Sequence, residues 1–377
     1  MNNFDAFVKV LLSGRVHRDV KFDDSLLHTI CNEFFEQLAE DKPHFIVCNT
    51  IQNKSCFMLA NKNPVIIFDY YNINIMQYLN KISASTLKQL IEPWFHKILS
   101  EYMYVSGYSY ASKTYFDKWN NNVVSDTADN TDMLEVQQVF VLYHELYHYI
   151  FYVNPDKLRN QLDEASSDLS GMIDYIQSEF NRKKTNEIPD DKIKYYQESG
   201  MHEYVIETLK KDGIPPSGNE FDDMRKYMDQ ISSLEECMCD KYASIKAFEW
   251  GIKNRSLAPE VCMSYICSAL NNQFLISYIY EFFKGDILAA AYSELNMRLY
   301  YTYFVIYNHA IENHIAIDDA AYDKALSHEI ERDILMFEVL VNLSLKQMDL
   351  GLPDENLKIS NSEREALLLL LKKSTLD

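Results

Sequence analysis

The sequence predicts an α+β protein that is mostly helical, with a small antiparallel sheet ahead of one buried helix. Three observations lead there. Glycine and proline are scarce, nine of each among 377 residues, against the roughly 12% that the two contribute together in average chains. That scarcity argues against Gly-rich dinucleotide folds, jelly rolls and collagen-like chains. Apolar residues recur at helical spacing through most of the length. Only the stretch 44–71 changes period, to short apolar runs separated by Asn- and Lys-rich turns, as strands and hairpins require. The composition, 47% hydrophobic and 24% charged, is that of a folded globular chain. The length allows one large unit or two to three domains.

Residues 1–40 read as two helices around a short turn. In the second, Phe22-Asp23-Asp24-Ser25 precedes Leu26, Ile30, Phe34 and Leu38 at helical spacing, and Pro43 ends the pattern. The runs 44–47, 56–60 and 65–71 are expected as antiparallel strands. Helix resumes over 73–103, where Ile91, Phe95, Ile98 and Leu99 share a side and Pro93 marks a start or a kink. Residues 105–131 are polar and aromatic, with Asn120, Asn121 and Asn122 in a row. They are expected as loop. Residues 132–153 form a helix apolar on nearly all sides, which belongs inside a domain. It stops before Pro155. The next helix, 155–182, carries Leu162, Ala165, Leu169, Ile173, Ile176 and Phe180 as a stripe. Residues 183–220 are charged and broken by Pro189, Gly213, Pro215, Pro216 and Gly218. They read as a surface excursion with a short helix near 202–209. A long helix is expected over 221–250, stopping at Gly251. Helices over 259–283, 285–313, 318–347 and 362–373 complete the chain. No repeat of fixed period occurs. The expected division is an N-terminal helical part, 1–43, a core over 44–250, and a helical C-terminal region, 255–377.

Charge and cysteine usage narrow the partners. Against 36 Lys and Arg stand 56 Asp and Glu, a net charge of −20. Such a chain repels nucleic acid phosphates and anionic membranes, and no basic patch overrides the mean. Neither nucleic acid nor membrane is expected as a partner. The seven cysteines, Cys31, Cys48, Cys56, Cys237, Cys239, Cys262 and Cys267, form no CxxC pair and sit mostly in apolar runs. Buried free thiols in a reducing compartment fit that pattern, so a cytoplasmic location is expected. The first residues lack a basic segment followed by a long apolar run, so they do not read as a signal peptide. The most apolar window, 261–283, contains Asn271, Asn272, Gln273 and Glu281, which marks a core helix and not a membrane span.

The buried helix carries the chemistry. His144-Glu145-Leu146-Tyr147-His148 is an HExxH motif. Residues i and i+4 lie on one helix face, so both imidazoles can hold one zinc ion at about 2.0–2.1 Å. Glu145 leans beside the metal, where it can move a proton between water and a leaving amine. Composition alone produces this pattern about 0.02 times in such a chain. Three ionisable groups within one turn of an apolar helix also demand partners. A third ligand must come from a distance, because Phe151 and Asn154 occupy the positions where HExxHxxGxxH places Gly and His. Two carboxylates qualify. Glu236 lies one turn from Asp240, with Ala243 and Ala247 continuing the face and allowing close approach. There Glu236 would bind zinc and Asp240 would accept the free ring N–H of His144. Glu164, with Asp168 and Gly171, has the same geometry and is the alternative. Cys237 and Cys239 point in different directions and read as core thiols.

HExxH followed at a distance by ExxxDxxA resembles the gluzincin metallopeptidases, and so implies a zincin-like core whose small sheet holds substrate along an edge strand, with 65–68 as the candidate edge or near-edge strand. The block Glu235-Glu236-Cys237-Met238-Cys239-Asp240-Lys241-Tyr242-Ala243 is most similar to that of the phage-exclusion (Lit-like) and ImmA/IrrE-like cytosolic peptidases. Glu164-Ala165-Ser166-Ser167-Asp168 instead resembles the thermolysin-type segment, at a shorter spacing than that type uses. The resemblance implies a Zn2+-dependent endopeptidase that cleaves a protein or peptide in the cytoplasm, in phage defence or regulation, with a regulatory protein as a further partner. The alternative is an inactive or single-target sensor built on the same fold. Members often supply an oxyanion donor from further along the chain. His309 is the leading candidate for that catalytic role, ahead of His314, Tyr300, Tyr301, Tyr303 and Arg298.

Overall fold

The computed structural model describes residues 23–38, 42–50, 55–60, 62–82, 87–121, 131–182, 218–284, 288–351 and 357–373, together with Lys194 and Pro353. A first helix, α1 (Ser25–Leu38), leads into strands β1 (His44–Cys48), β2 (Cys56–Ala60) and β3 (Asn63–Asp69). Helices α2 (Tyr71–Leu79), α3 (Leu87–Val105) and α4 (Ser109–Asn120) follow, then α5 (Thr131–Val153) and α6 (Pro155–Arg182). The remainder is α7 (Gly218–Met228), α8 (Ile231–Arg255), α9 (Pro259–Lys284), α10 (Leu288–Glu312), α11 (Asp319–Leu350) and α12 (Asn361–Lys373). The fold is thus mostly helical, with a three-stranded sheet preceding the helix that bears HExxH. The expected helices over 1–22 and near 202–209 lie outside the described residues.

The sheet departs from the expected layout in two ways. Its order is β1-β3-β2, so it is mixed: β2 pairs with β3 antiparallel and β1 with β3 parallel. The chain reverses between β1 and β2 and again between β2 and β3. Seating the third strand between the first two therefore sets β1 and β3 in the same direction. Residues 65–68 accordingly occupy the middle strand and not an edge. The reason lies in their composition. Val65, Ile66, Ile67 and Phe68 are an unbroken apolar run, wholly buried, and such a run needs cover on both faces and both sides. Ile66 and Phe68 face the main helical core. Val65 and Ile67 pack with Cys48 and Ala60 on the other face. Lys62, with φ of 68°, takes the left-handed conformation that the tight β2–β3 reversal needs.

Helix α5 lies at the centre. Val139, Phe140, Val141 and Leu142 are all fully buried, so successive residues meet protein on every side. Its neighbours include α1, α2, α8, α9, β2 and β3. It ends at Asn154, whose N–H still reaches Ile150 O at 2.9 Å. Pro155 then starts α6 at the first helical position, where its missing N–H costs nothing. The 105–131 stretch is not all loop. Within it, Ala111, Tyr115, Phe116 and Trp119 form the buried stripe of α4, packed on α3. Asn120 and Asn121, which suggested a loop, are exposed at the end of that helix. Beneath it Lys97, wholly buried, pairs with Glu101 at 2.7 Å and sits 4.7 Å from the Trp119 ring centroid.

The long helix expected over 221–250 is two helices, α7 and α8, separated at Asp229 and Gln230. It also runs past Gly251, which is interior to α8. Glycine is needed there for close packing: a Cβ would stand 2.5 Å from Cys262 Sγ on α9 and 3.3 Å from Val136 on α5. The helix stops instead at Ser256, with φ of 53°.

Helix α9 joins two apolar clusters. Its first half packs with α5 and α8, and its second half with α2, α3, α11 and α12. The asparagines that marked it as a core helix are buried. Asn272 Nδ2 donates to Asn80 Oδ1 at 3.0 Å and Arg332 donates to Asn272 Oδ1 at 3.2 Å. Asn80 and Gln137 exchange two further hydrogen bonds, of 2.8 and 3.1 Å. Among the described residues no helix is long and apolar enough to cross a membrane.

The substitution G251A is expected to lower stability in urea denaturation. Overpacking of about 1–3 kcal/mol outweighs the roughly 1 kcal/mol that alanine gains in helix propensity. G251A/C262A recovers most of the loss, because it removes the sulfur that the new methyl group meets. A more stable G251A would contradict this close approach.

Candidate metal centre

Two helices build the site. On α5, His144 and His148 stand one turn apart, with ring centroids 4.8 Å from each other. On α8, Cys239, Ala243 and Ala247 are all wholly buried against the core that α5 enters. Their small size lets the two backbones approach, and that approach brings the carboxylates of α8 to the imidazoles.

Each histidine has two acidic neighbours. His144 Nδ1 lies 2.9 Å from Asp240 Oδ1, and His144 Nε2 lies 3.2 Å from Glu236 Oε2. His148 Nδ1 lies 3.1 Å from Glu235 Oε1, and His148 Nε2 lies 3.4 Å from Glu236 Oε1. The two Nε2 atoms are 3.1 Å apart. Both outer ring nitrogens are thus taken by carboxylates, and both inner ones point at Glu236. One ligand atom from each of His144, His148 and Glu236 lies within 4.8 Å of the others. Two imidazole nitrogens and a carboxylate oxygen, with the second ring nitrogens held by acids, are a donor set that a divalent metal accepts. Asp240 is wholly buried, while the Glu236 side chain is 35% exposed. The cluster is dry at Asp240 and open at both Glu235 and Glu236.

Glu145 turns away from the other carboxylates toward the sheet. Its Oε2 accepts the backbone N–H of Phe57 on β2 at 2.7 Å. Burial raises its pKa above the usual carboxylate value, although the two histidines and the Phe57 N–H pull the other way. Glu236 behaves oppositely. Burial works against its charge, but hydrogen bonds from His144 and His148 and the charge of Arg298 hold it well below the usual range. Burial likewise opposes the charge on the imidazoles. The acids outweigh it and raise both to about 10, through Asp240 and Glu236 for His144 and through Glu235 and Glu236 for His148.

Other sequence candidates stand elsewhere. Glu164, on α6, is exposed and faces Lys241 Nζ at 3.5 Å, as does Asp168. His309, on α10, meets Glu249 at 3.2 Å. Glu249 follows Glu236 by 13 residues, on the order of 20 Å along α8. Tyr303 bonds to Asp323, Tyr301 is wholly buried in the cluster with α6, α7 and α8, and His314 is exposed beyond the end of α10. Cys237 and Cys239 are wholly buried, and burial pushes both thiols well up, so neither offers a thiolate. Of the expected oxyanion donors, Arg298 reaches the cluster, with its guanidinium on Asp240 and Glu236. Two contacts escaped the sequence reading. The adjacent glutamates 235 and 236 hinted at one carboxylate per histidine. Nothing in the sequence signalled that Phe57 would meet Glu145.

Together these side chains make a zincin-like candidate metal site. Comparison of the chain with protein-family models, with curated proteins and with solved structures gives no match. The case for the site therefore rests on its own geometry.

Zinc content per chain, measured by elemental analysis on proteins purified side by side, tests the donor set. The wild type and E164A are expected to hold about one zinc each. H144A, H148A and E236A are expected to lose most of it. Loss in E164A with retention in E236A would move the third ligand to α6.

Proposed function

We propose that the chain is a zinc-dependent endopeptidase that cleaves a protein substrate in the cytoplasm, in phage defence or regulation. The reading adopts the Lit-like and ImmA/IrrE-like peptidases that the Glu235–Ala243 block resembles. One observation carries it: His144 Nε2, His148 Nε2 and a Glu236 oxygen converge beside a buried glutamate one residue after the first histidine. Three protein donors of the His, His, Glu kind suit catalytic zinc, which keeps a position for water. His144, His148 and Glu236 would hold the ion, which when bound supplies Lewis acidity toward the scissile carbonyl and its attacking water.

The remaining steps belong to the chain. Asp240 accepts the Nδ1–H of His144, and Glu235 that of His148, so each ring turns its other nitrogen inward. Glu145 takes a proton from the attacking water and delivers it to the departing amine. Its burial strengthens its hold on that proton, and the Phe57 N–H anchors one carboxylate oxygen. Among the described residues β2 has β3 on one side and no strand on the other. The Phe57 N–H points away from β3 toward Glu145, so by alternation the polar backbone groups of Leu59 share that edge. An extended peptide adding to β2 would be drawn past Glu145. Leu59 and Tyr152, both nearly half exposed, with Tyr152 against the Phe57 ring, offer apolar contact there. The helices after residue 255 are assigned to recognition of the target or of a regulatory protein.

Incubation of zinc-loaded protein with a proteome-derived peptide mixture and with cell lysate, read by mass spectrometry of new termini, tests the reading. The wild type is expected to produce new termini. E145Q, at equal zinc content, is expected to be slower by about 10²–10⁴-fold. Identical termini in both proteins would remove the peptidase assignment.

A further inference from the structure

We propose that Arg298 is the positioning residue of the metal centre: one guanidinium, delivered by α10, fixes both the third ligand Glu236 and the carboxylate Asp240 that orients His144. The inference rests on the zinc reading of the site and adds a third helix to it.

The geometry is that of a planar fork closing on acids. Arg298 Nε donates to Asp240 Oδ2 at 2.5 Å and Nη2 donates to Asp240 Oδ1 at 3.0 Å. That side-on, two-bond contact fixes the plane of the carboxylate and not only its position. Asp240 Oδ1 is the same atom that lies 2.9 Å from His144 Nδ1. The plane that Arg298 sets is therefore the plane in which the imidazole is held. Nη2 also stands 3.3 Å from Glu236 Oε2, the oxygen nearest His144 Nε2. Nη1 completes the grip on Glu294 Oε1 at 3.4 Å, one turn earlier on α10.

Two consequences follow. First, each of the three guanidinium nitrogens is engaged by an acid, so Arg298 is read as a positioning group and not as an oxyanion donor. Its effect reaches the metal through Glu236 and His144. Second, it is the positive charge that lets three carboxylates share this space. Asp240 is wholly buried, and Glu236 and Glu294 crowd the same side. Without the guanidinium they repel one another in a poorly screened interior. Glu236 then swings toward its open side, and Asp240 loses two of the contacts that hold it. Lysine cannot substitute, because a point charge with no planar fork does not hold a carboxylate side-on while touching a second one. Among the described residues the Arg or Lys that meets Glu236 and Asp240 comes from neither α5 nor α8 but from α10, so the centre is complete only when α10 is docked.

The test is zinc affinity, by competition with a chelating indicator on the full chain, for wild type, R298M, R298K, D240N and R298M/D240N. The absorption spectrum of the Co2+-loaded proteins reports ligand geometry, and far-UV circular dichroism verifies folding. R298M is expected to bind zinc 10–100-fold more weakly, the usual effect of losing a group that orients a ligand, with an altered Co2+ spectrum. R298K is expected to recover little of the loss. R298M/D240N is expected to be about as weak as the weaker single variant, because both act through one assembly. A zinc Kd in R298M within twofold of wild type, with an unchanged Co2+ spectrum, overturns the proposal. So do effects of R298M and D240N that multiply independently. Should R298M fail to fold, R298K decides: a wild-type Kd there overturns the proposal and a weakened one supports it. A wild type that binds no zinc overturns the zinc reading itself, an outcome distinct from the failure of Arg298 alone.

Discussion

Two imidazoles on an otherwise apolar helix must find charge partners inside the protein, and the meeting of α5 with α8 is how this chain supplies them. His144 and His148 are carried inward by a helix that is wholly buried over Val139–Leu142. Only a neighbour that is small where it touches and acidic where the rings lie can accept them. Helix α8 is both. Cys239, Ala243 and Ala247 bring its backbone close, and Glu235, Glu236 and Asp240 meet the four ring nitrogens. The path of α8 is held in turn by Gly251, where α9 leaves no room for a side chain. A steric constraint three turns from Asp240 thus helps set the distance at which the acids meet the histidines.

The electrostatic design follows from that contact. Glu236, Asp240 and Glu294 gather around a single guanidinium, and Glu235 meets His148 beside them. The surplus negative charge raises the pKa of both imidazoles, and the same surplus favours a divalent cation. Burial is uneven in a useful way. Asp240, which meets His144, is dry and gripped by Arg298, whereas Glu235 and Glu236 border solvent. The sheet enters through one bond, Phe57 N–H to Glu145, which ties the free edge of β2 to the acid beside the metal position.

Local pattern explains which parts of the fold were legible. Helices with an unbroken stripe, such as α6, α9 and α12, were read within a few residues of their ends. The misreadings share a cause. The stretch holding α4 looks polar because its outer faces are polar, and its stripe of Tyr115, Phe116 and Trp119 has meaning only against α3 and the buried Lys97. Gly251 resembles a helix stop, yet its lack of a side chain serves α9. The division between α7 and α8 leaves no glycine or proline as a mark. In the sheet, the strand segments were evident from composition, but their order depends on which strand the rest of the protein covers.

By itself, the sequence determined that the chain is mostly helical, that a short sheet precedes a buried helix, and that this helix presents HExxH. Those features arise from spacing along one segment, and spacing is a property of the sequence. It narrowed the distant acid to two positions with the same ExxxD geometry and could go no further, because both place their carboxylates identically on a helix. Tertiary structure decided which helix approaches α5. It brought Glu236 to the histidines and left Glu164 facing Lys241. It also recruited Arg298 from a helix more than fifty residues further on. Contacts between distant segments depend on how closely helices pack, and that distance is written in no single stretch of residues.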